Sequence, residues 1–281
     1  MDETCFNDRA DVILTIDIGN SRSKLGLFDG YNLIKKTTVP LNHLDNVEKC
    51  KGFISDFIGE IANLTGACIC SVVPDKTSLF ISAIKALGNI PLIIVNHETK
   101  TGIDFSMLKS PKTLGTDRIA SAAGAFHIYR KPLCVIDFGT ATTLNVVDGH
   151  PTSEYKQGRF MGGAILPGLD MMCKSLSDNT AALPLIELTE SIKLPSDNTA
   201  TAIISGIVIG TAGAVERIID EIELLTALRL IIVITGGNAD FVTPYIKKEF
   251  IVEPNLSLIG LNVIYNYTYT NLRYNINLLI Q

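Results

Sequence analysis

Apolar and polar positions alternate between two kinds of pattern along the chain. Short, almost wholly apolar runs stand at Ile13–Ile16, Ala67–Val73, Pro91–Val95, Leu133–Ile136 and Leu230–Ile234, and each predicts a buried strand. Between them lie stretches with apolar residues every three or four positions. Leu44, Val47, Phe53, Ile54, Phe57, Ile58, Ile61 and Leu64 form one such stripe, which predicts a helix across 44–64. Further helices are predicted after Pro74-Asp75, from Gly115 to about Arg130, across 169–178, and from Thr199 to about Leu228. A break in the last is expected near Gly206–Gly213, because glycine is a poor helix former. Strands alternating with helices indicate an α/β protein.

The pattern repeats. Residues 13–19 read ILTIDIG and residues 133–139 read LCVIDFG. Each apolar run ends in Ile-Asp-x-Gly and is followed by small polar residues: Asn20, Ser21 and Ser23 in the first copy, Thr140, Thr142 and Thr143 in the second. Another apolar run and an Asp-Gly turn close each copy, at Asp29-Gly30 and Asp148-Gly149. Each reads as strand, glycine turn, strand, with an acid at the tip. Glycine lets backbone N–H groups approach an anion, hydroxyls add donors, and the acid can hold a neutralising cation. One such hairpin is common loop chemistry. Two, opening two halves of similar size, point to a nucleotide held between duplicated domains, 11–130 and 131–267.

Composition narrows the class. The 281 residues are 47% hydrophobic and 19% charged with net charge −5, which suits a globular protein and gives no electrostatic case for nucleic acid or an anionic membrane. Cysteines at 5, 50, 68, 70, 134 and 173 form no CxxC pair and read as reduced thiols. The first ten residues lack an apolar signal region, and no unbroken apolar run reaches the ~18 residues of a membrane span. A soluble, cytoplasmic protein without nucleic-acid or membrane partners is expected.

Other motifs are weaker singly. Gly115-Thr116-Asp117-Arg118 opens a helix, where an acid also serves the macrodipole. Met161 to Gly168 (MGGAILPG) is expected as a glycine-rich passage between a strand and a helix, either turn chemistry or the wall of a pocket. Asp197-Asn198-Thr199 is an ordinary N-cap, and Thr235-Gly236-Gly237-Asn238 follows a strand, as many tight turns do.

Taken in order, DIGNS, GTDR, DFGTATT, GGAILPG, DNT and TGG make the chain resemble the type III pantothenate kinases of the actin-like ATPase superfamily, from about Val12 to Tyr265. The resemblance implies two duplicated actin-like (ribonuclease H-like) ATPase domains with a nucleotide cleft between them. It implies ATP-dependent phosphorylation of pantothenate to 4'-phosphopantothenate, the first step of coenzyme A biosynthesis, with ATP, Mg2+ and K+ or NH4+ as cofactors and a homodimer as the working unit. ATP phosphates would meet Asp17, Ile18, Gly19, Asn20, Ser21, Arg22, Ser23 and Lys24, with Thr140 as a further ATP contact. Asp117 would be the general base; Gly115, Thr116, Asp117, Arg118 and Thr199 would contact pantothenate, and Asp137 would hold K+. Where the family often has an aromatic residue shortly before its Gly-x-Asp-Arg motif, this chain has Met107 and Leu108. The alternatives are a kinase of another small hydroxylated substrate, or a catalytically silent nucleotide-binding regulator. The chain is short for a sugar kinase, and the silent reading would be favoured by loss of the motif acids, all of which are present.

Overall fold

The computed structural model describes residues 10–59, 62–149, 157–188 and 192–279. In chain order these form β1 (Ala10–Ile18), β2 (Arg22–Asp29), β3 (Asn32–Pro40), α1 (Val47–Ile58), β4 (Ala62–Ser71), α2 (Pro74–Lys85), β5 (Leu92–Ile94), β6 (Ile103–Asp104), α3 (Thr116–Tyr129), β7 (Leu133–Phe138), β8 (Ala141–Asp148), β9 (Gly158–Pro167), α4 (Leu169–Asp178), α5 (Thr199–Thr226), β10 (Ile231–Thr235), α6 (Ala239–Val242), β11 (Ile251–Val252) and α7 (Leu256–Leu279). Two compact units share the chain. The first takes residues 1–102, 110–127 and 257–281, the second 103–109 and 128–256. The internal repeat places a divide at 130/131; in space, the C-terminal helix goes with the first unit and the 103–109 segment with the second.

The first unit has a five-stranded sheet in the order β3-β2-β1-β4-β5. β1, β2 and β3 are antiparallel neighbours, and β4 and β5 continue the sheet in parallel. The second unit repeats this order as β9-β8-β7-β10-β11, with β6 added beside β9. The repeated hairpin motif therefore belongs to a repeated sheet. In each copy the glycine N–H closes the turn: Gly19 donates to the Arg22 carbonyl at 3.0 Å and Gly139 to the Ala141 carbonyl at 3.1 Å.

Alternation along β1 sorts the first unit into layers. Val12, Leu14, Ile16 and Ile18 face a core shared with Ile54 and Phe57 of α1 and Phe80, Ala83 and Ile84 of α2. A fully buried side chain of this size contributes roughly 1.5–3 kcal/mol over leaving it exposed. Thr15 and Asp17 take the opposite face, against which α3 and α7 pack. There, a Cβ on Gly260 of α7 would lie 1.8 Å from the Ala120 carbonyl oxygen of α3. Only glycine admits so close an approach of the two helices. In the second unit, Cys134, Ile136, Phe138, Leu144 and Val146 pack on Leu169 and Cys173 of α4 and on Ile203, Ile207, Val215 and Ile219 of α5.

Several boundaries depart from the sequence pattern. The stripe over 44–64 is one helix only to Ile58. Asn46 caps it by accepting from the Lys49 N–H at 2.9 Å, and Gly59, at φ 64°, ends it. Leu64 belongs to β4, and Ile61 lies outside the described residues. α5 runs unbroken through Gly206, Gly210 and Gly213. Each glycine costs about 1 kcal/mol relative to alanine, and burial of the neighbouring isoleucines and valines offsets that cost. Residues 161–167 are not a connector but the second half of β9, and Gly168 joins it directly to α4; Gly162 stands at φ 110°, with a register shift opposite Val146/Val147. Cys50, Cys68, Cys70, Cys134 and Cys173 are free and buried; burial pushes the Cys134 thiol up to about 12. Cys5 lies outside the described residues. Among the described residues α5 alone is long and apolar enough to cross a bilayer, and half of that stretch is buried within the protein.

Candidate functional site

In the first unit, β1 and β4 run parallel with Asp17 beside Cys70 and Ile18 beside Ser71. The carboxyl ends of parallel strands are where α/β sheets bind ligands. The Ser71 backbone also receives α3. Thr116 Oγ1 donates to the Ser71 carbonyl at 2.9 Å and accepts from the Ser71 N–H at 2.9 Å. That pins the start of α3 to the end of β4 and sets Asp117 near Asp17. Thr116 thus spends its hydroxyl on architecture.

Asp17 is nearly buried, at 9% exposure. Its Oδ1 accepts from the Cys70 thiol at 3.4 Å and its Oδ2 from the Ser257 hydroxyl at 2.7 Å. Burial and the Asp17 charge hold the Cys70 thiol well above its ordinary range, so it is a neutral donor and not a nucleophile. Lys24 stands directly across the hairpin from Asp17, on the same face. Asn20, Ser21 and Arg22 are exposed at the turn, as a phosphate cradle requires. Ser23 is fully buried on the core side, where its hydroxyl has no hydrogen-bond partner among the described residues. Thr142, one position before the residue paired with Asp137, is likewise buried without a partner.

Asp117 folds back over Gly115. A Cβ at Gly115 would lie 2.4 Å from Asp117 Oδ1, which accepts from the Arg118 N–H at 2.8 Å. The glycine therefore makes room for the acid. Burial first, and then the Asp17 charge, raise the proton affinity of Asp117 above the ordinary carboxylate value; the Arg118 N–H and guanidinium oppose this. Burial in turn pulls the Arg118 guanidinium down, while Asp117 holds it up. The two carboxylates thus sit in unlike environments, one held by two donors and the other buried beside its neighbour's charge.

In the second unit Asp137 is the last residue but one of β7, between Thr143 of β8 and Thr235 of β10. Glycines enclose it: a Cβ at Gly236, whose φ is 104°, would lie 2.5 Å from Asp137 Oδ1, and one at Gly139 would lie 3.2 Å away. Asn238 donates its N–H to the Phe138 carbonyl at 2.9 Å and its side-chain amide to Asp170 at 3.2 Å. Gly168 closes against the Thr140 carbonyl, 2.2 Å from where its Cβ would stand. So TGG and the end of GGAILPG both pack on the second hairpin. Thr140 is exposed at the hairpin tip, and Thr199 is exposed at the start of α5 behind the Asn198 cap, which accepts from the Thr201 N–H at 2.9 Å.

The first unit thus gathers Asp17–Lys24 with Gly115–Arg118, and the second carries Asp137, Thr140 and Thr199. Sequence reasoning missed Cys70 and Ser257. Cys70 sits in an apolar run like any core cysteine, and Ser257 follows Pro254-Asn255-Leu256 like any residue at a helix start.

Comparison with known proteins bears on the family and the fold. A protein from Thermobifida fusca, named type III pantothenate kinase, is 33% identical over 264 residues, covering 90% of this chain and 98% of that one. Among solved structures, a conserved Baf family protein from Campylobacter jejuni superposes with TM-score 0.58 at 19% identity, covering 92% of this chain and 99% of that one. The activator of 2-hydroxyisocaproyl-CoA dehydratase from Clostridium difficile, solved with bound ADPNP, gives 0.53 at 14% identity, covering 94% and 97%. At these identities the structures speak for the fold alone, which is the actin-like ATPase fold. The model of the type III pantothenate kinase family matches residues 13–221, a span that holds both hairpins and the paired acids, and the chain belongs to that family.

Proposed function

We propose that the protein transfers the γ-phosphate of ATP to the primary hydroxyl of pantothenate, giving 4'-phosphopantothenate in coenzyme A biosynthesis. The observation that supports this best is the juxtaposition of Asp17 and Asp117 at the carboxyl ends of β1 and β4, with Asp117 made more basic by burial and by its neighbour. In the transfer, the bond from the γ-phosphorus to the bridging oxygen breaks as the hydroxyl oxygen bonds to phosphorus. Asp117 orients that hydroxyl and takes its proton. Transfer of this kind has a loose transition state, so positioning matters more than strong basicity. Asn20, Ser21, Arg22 and Lys24 offer donors and charge to the phosphates beside Gly19, and Thr140, an exposed hydroxyl at the tip of the second hairpin, is a further candidate ATP contact. Arg118 suits the pantothenate carboxylate.

Among the described residues no three His, Cys, Asp or Glu side chains gather as a metal cluster. Mg2+ bound with nucleotide needs only one or two carboxylates beside phosphates and water; Asp17 is the residue to hold it. Bound there, Mg2+ would neutralise charge on the phosphate oxygens. The direct test is ADP release with pantothenate, sugars and acetate as acceptors. Release with pantothenate alone is expected; equal release with sugars would transfer the chain to another substrate, and none with any acceptor would favour a silent nucleotide binder.

Asp137 is the residue to hold K+ or NH4+, supported by a carboxylate enclosed by the Gly139 and Gly236 turns. Activity should rise with potassium or ammonium and stay low in sodium alone. Asp137→Ala should lose that response; an unchanged potassium dependence would place the cation elsewhere.

The working unit is a homodimer in which Thr199 serves the pantothenate of the partner subunit. α5 supports this with small residues at every fourth position, Ala202, Gly206, Gly210 and Ala214. They line an apolar groove of about 650 Å³ together with Met171 and Met172 of α4, and Met171 is 49% exposed. A second copy of the same helix pair would cover that surface. The protein acts in the cytoplasm as a soluble enzyme, with no nucleic-acid or membrane partner.

A further inference from the structure

Ser257 is the second residue of α7, in its first turn. Its hydroxyl donates to Asp17 Oδ2 at 2.7 Å, across 240 residues of sequence. Ser257 is only 6% exposed, so water cannot readily take the place of either partner. The helix carrying it is fixed on the same elements that carry the acids. Gly260 meets Ala120, one turn beyond Asp117 on α3, and Asn262 donates to the Gly30 carbonyl, at the far end of the β1–β2 hairpin, at 2.8 Å. Tyr265 donates to the Thr65 carbonyl of β4 at 3.3 Å. Asp17 needs such an anchor: like charge from Asp117 pushes the two carboxylates apart, and an unanchored side chain would swing away. A carboxylate has about four lone-pair sites. Ser257 and Cys70 take one on each oxygen, which leaves the others for ligand.

We propose that Ser257 is a positioning residue for Asp17, fixing its carboxylate in the one orientation that serves magnesium nucleotide, with Cys70 as the weaker second anchor. This rests on the reading of Asp17 as the residue facing magnesium nucleotide. The full chain carrying Ser257→Ala, Ser257→Thr or Ser257→Cys supplies the test, read by calorimetric titration with ADPNP at saturating Mg2+, at limiting Mg2+ and in EDTA, and by steady-state kinetics. Ser257→Ala should raise the Mg2+ requirement for ADPNP binding, and lower kcat, by about 10- to 100-fold, the range for losing a hydrogen bond to a charged group. ADPNP binding in EDTA and the pantothenate KM should stay at parent values. Ser257→Thr, which keeps the hydroxyl, should restore both quantities. If the alanine variant does not fold, Ser257→Cys replaces it, with a smaller loss in the same two quantities. An unchanged Mg2+ requirement in a folded Ser257→Ala or Ser257→Cys protein overturns the proposal, as does an equal loss in EDTA. If the parent binds magnesium ADPNP but phosphorylates no pantothenate, the kinase reading falls and the binding arm still decides Ser257. A parent with no magnesium-dependent binding sinks both.

Discussion

Asp117→Asn should cut kcat by about 10²–10⁴-fold, the range for a positioned acid–base group, while magnesium nucleotide binds nearly as in the parent. Asparagine keeps the shape of the side chain over Gly115 and the contact to the Arg118 N–H, so what is lost is the capacity to take a proton. The pH profile gives an independent reading. Burial and the Asp17 charge raise the Asp117 proton affinity above 3.8, and the unprotonated form is the one that works. Activity should therefore be present above the raised value and lost as pH falls through it, and this acid limb should disappear from the residual activity of the variant. Stability runs the other way. A carboxyl more basic when folded binds its proton more tightly in the native state, so its contribution to stability declines as pH rises from the ordinary carboxylate range through the raised value. Asparagine carries no such penalty, and the variant should melt no lower than the parent at neutral pH. Near-normal turnover in the folded variant would remove Asp117 from the chemistry.

Mixing two inactive chains should restore activity. Asp117→Asn disables the first unit's acid, and Thr199→Ala removes the exposed hydroxyl at the start of α5. If each site combines Asp117 of one subunit with Thr199 of the other, a mixed dimer places both lesions in one site and leaves the second intact. Random exchange at equal concentration makes half the dimers mixed, so about a quarter of all sites recover in a two-fold assembly. If Thr199 serves its own chain, every site in the mixed dimer carries one lesion and nothing returns. The mixture should be assayed before and after subunit exchange, with exchange itself followed by differently tagged chains. Complete exchange without recovery would falsify the shared site.

Much of this protein is legible in one dimension because its information is local. Buried strands announce themselves as apolar runs, and a hairpin needs its acid, glycine and hydroxyls within a few residues, so Asp17 through Lys24 and Asp137 through Thr143 could be found by eye. The glycine before Asp117 is legible for the same reason: the carboxylate that needs its space is two residues away. Periodicity failed where local signals competed. The stripe over 44–64 counted Leu64 as helical, although Gly59 ends α1 and Leu64 packs from β4. Glycines in α5 suggested a break that buried isoleucines overrode. The MGGAILPG run looked like a loop because glycine is rare in strands, whereas here it lets β9 lie close to Leu144 of β8, where a Cβ on Gly163 would come 1.7 Å from the carbonyl oxygen.

What the sequence by itself determined is the duplicated hairpin, the order of the motifs and the residue types able to hold phosphate and move a proton. Tertiary structure alone decided how those residues are supported. Cys70 reaches Asp17 only because β4 lies parallel beside β1 in one particular register, and Ser257 only because α7 returns from the far end of the chain to the face opposite α1 and α2. Register and helix docking depend on the fit of whole surfaces, summed over contacts hundreds of residues apart, and no short stretch of sequence encodes such a sum.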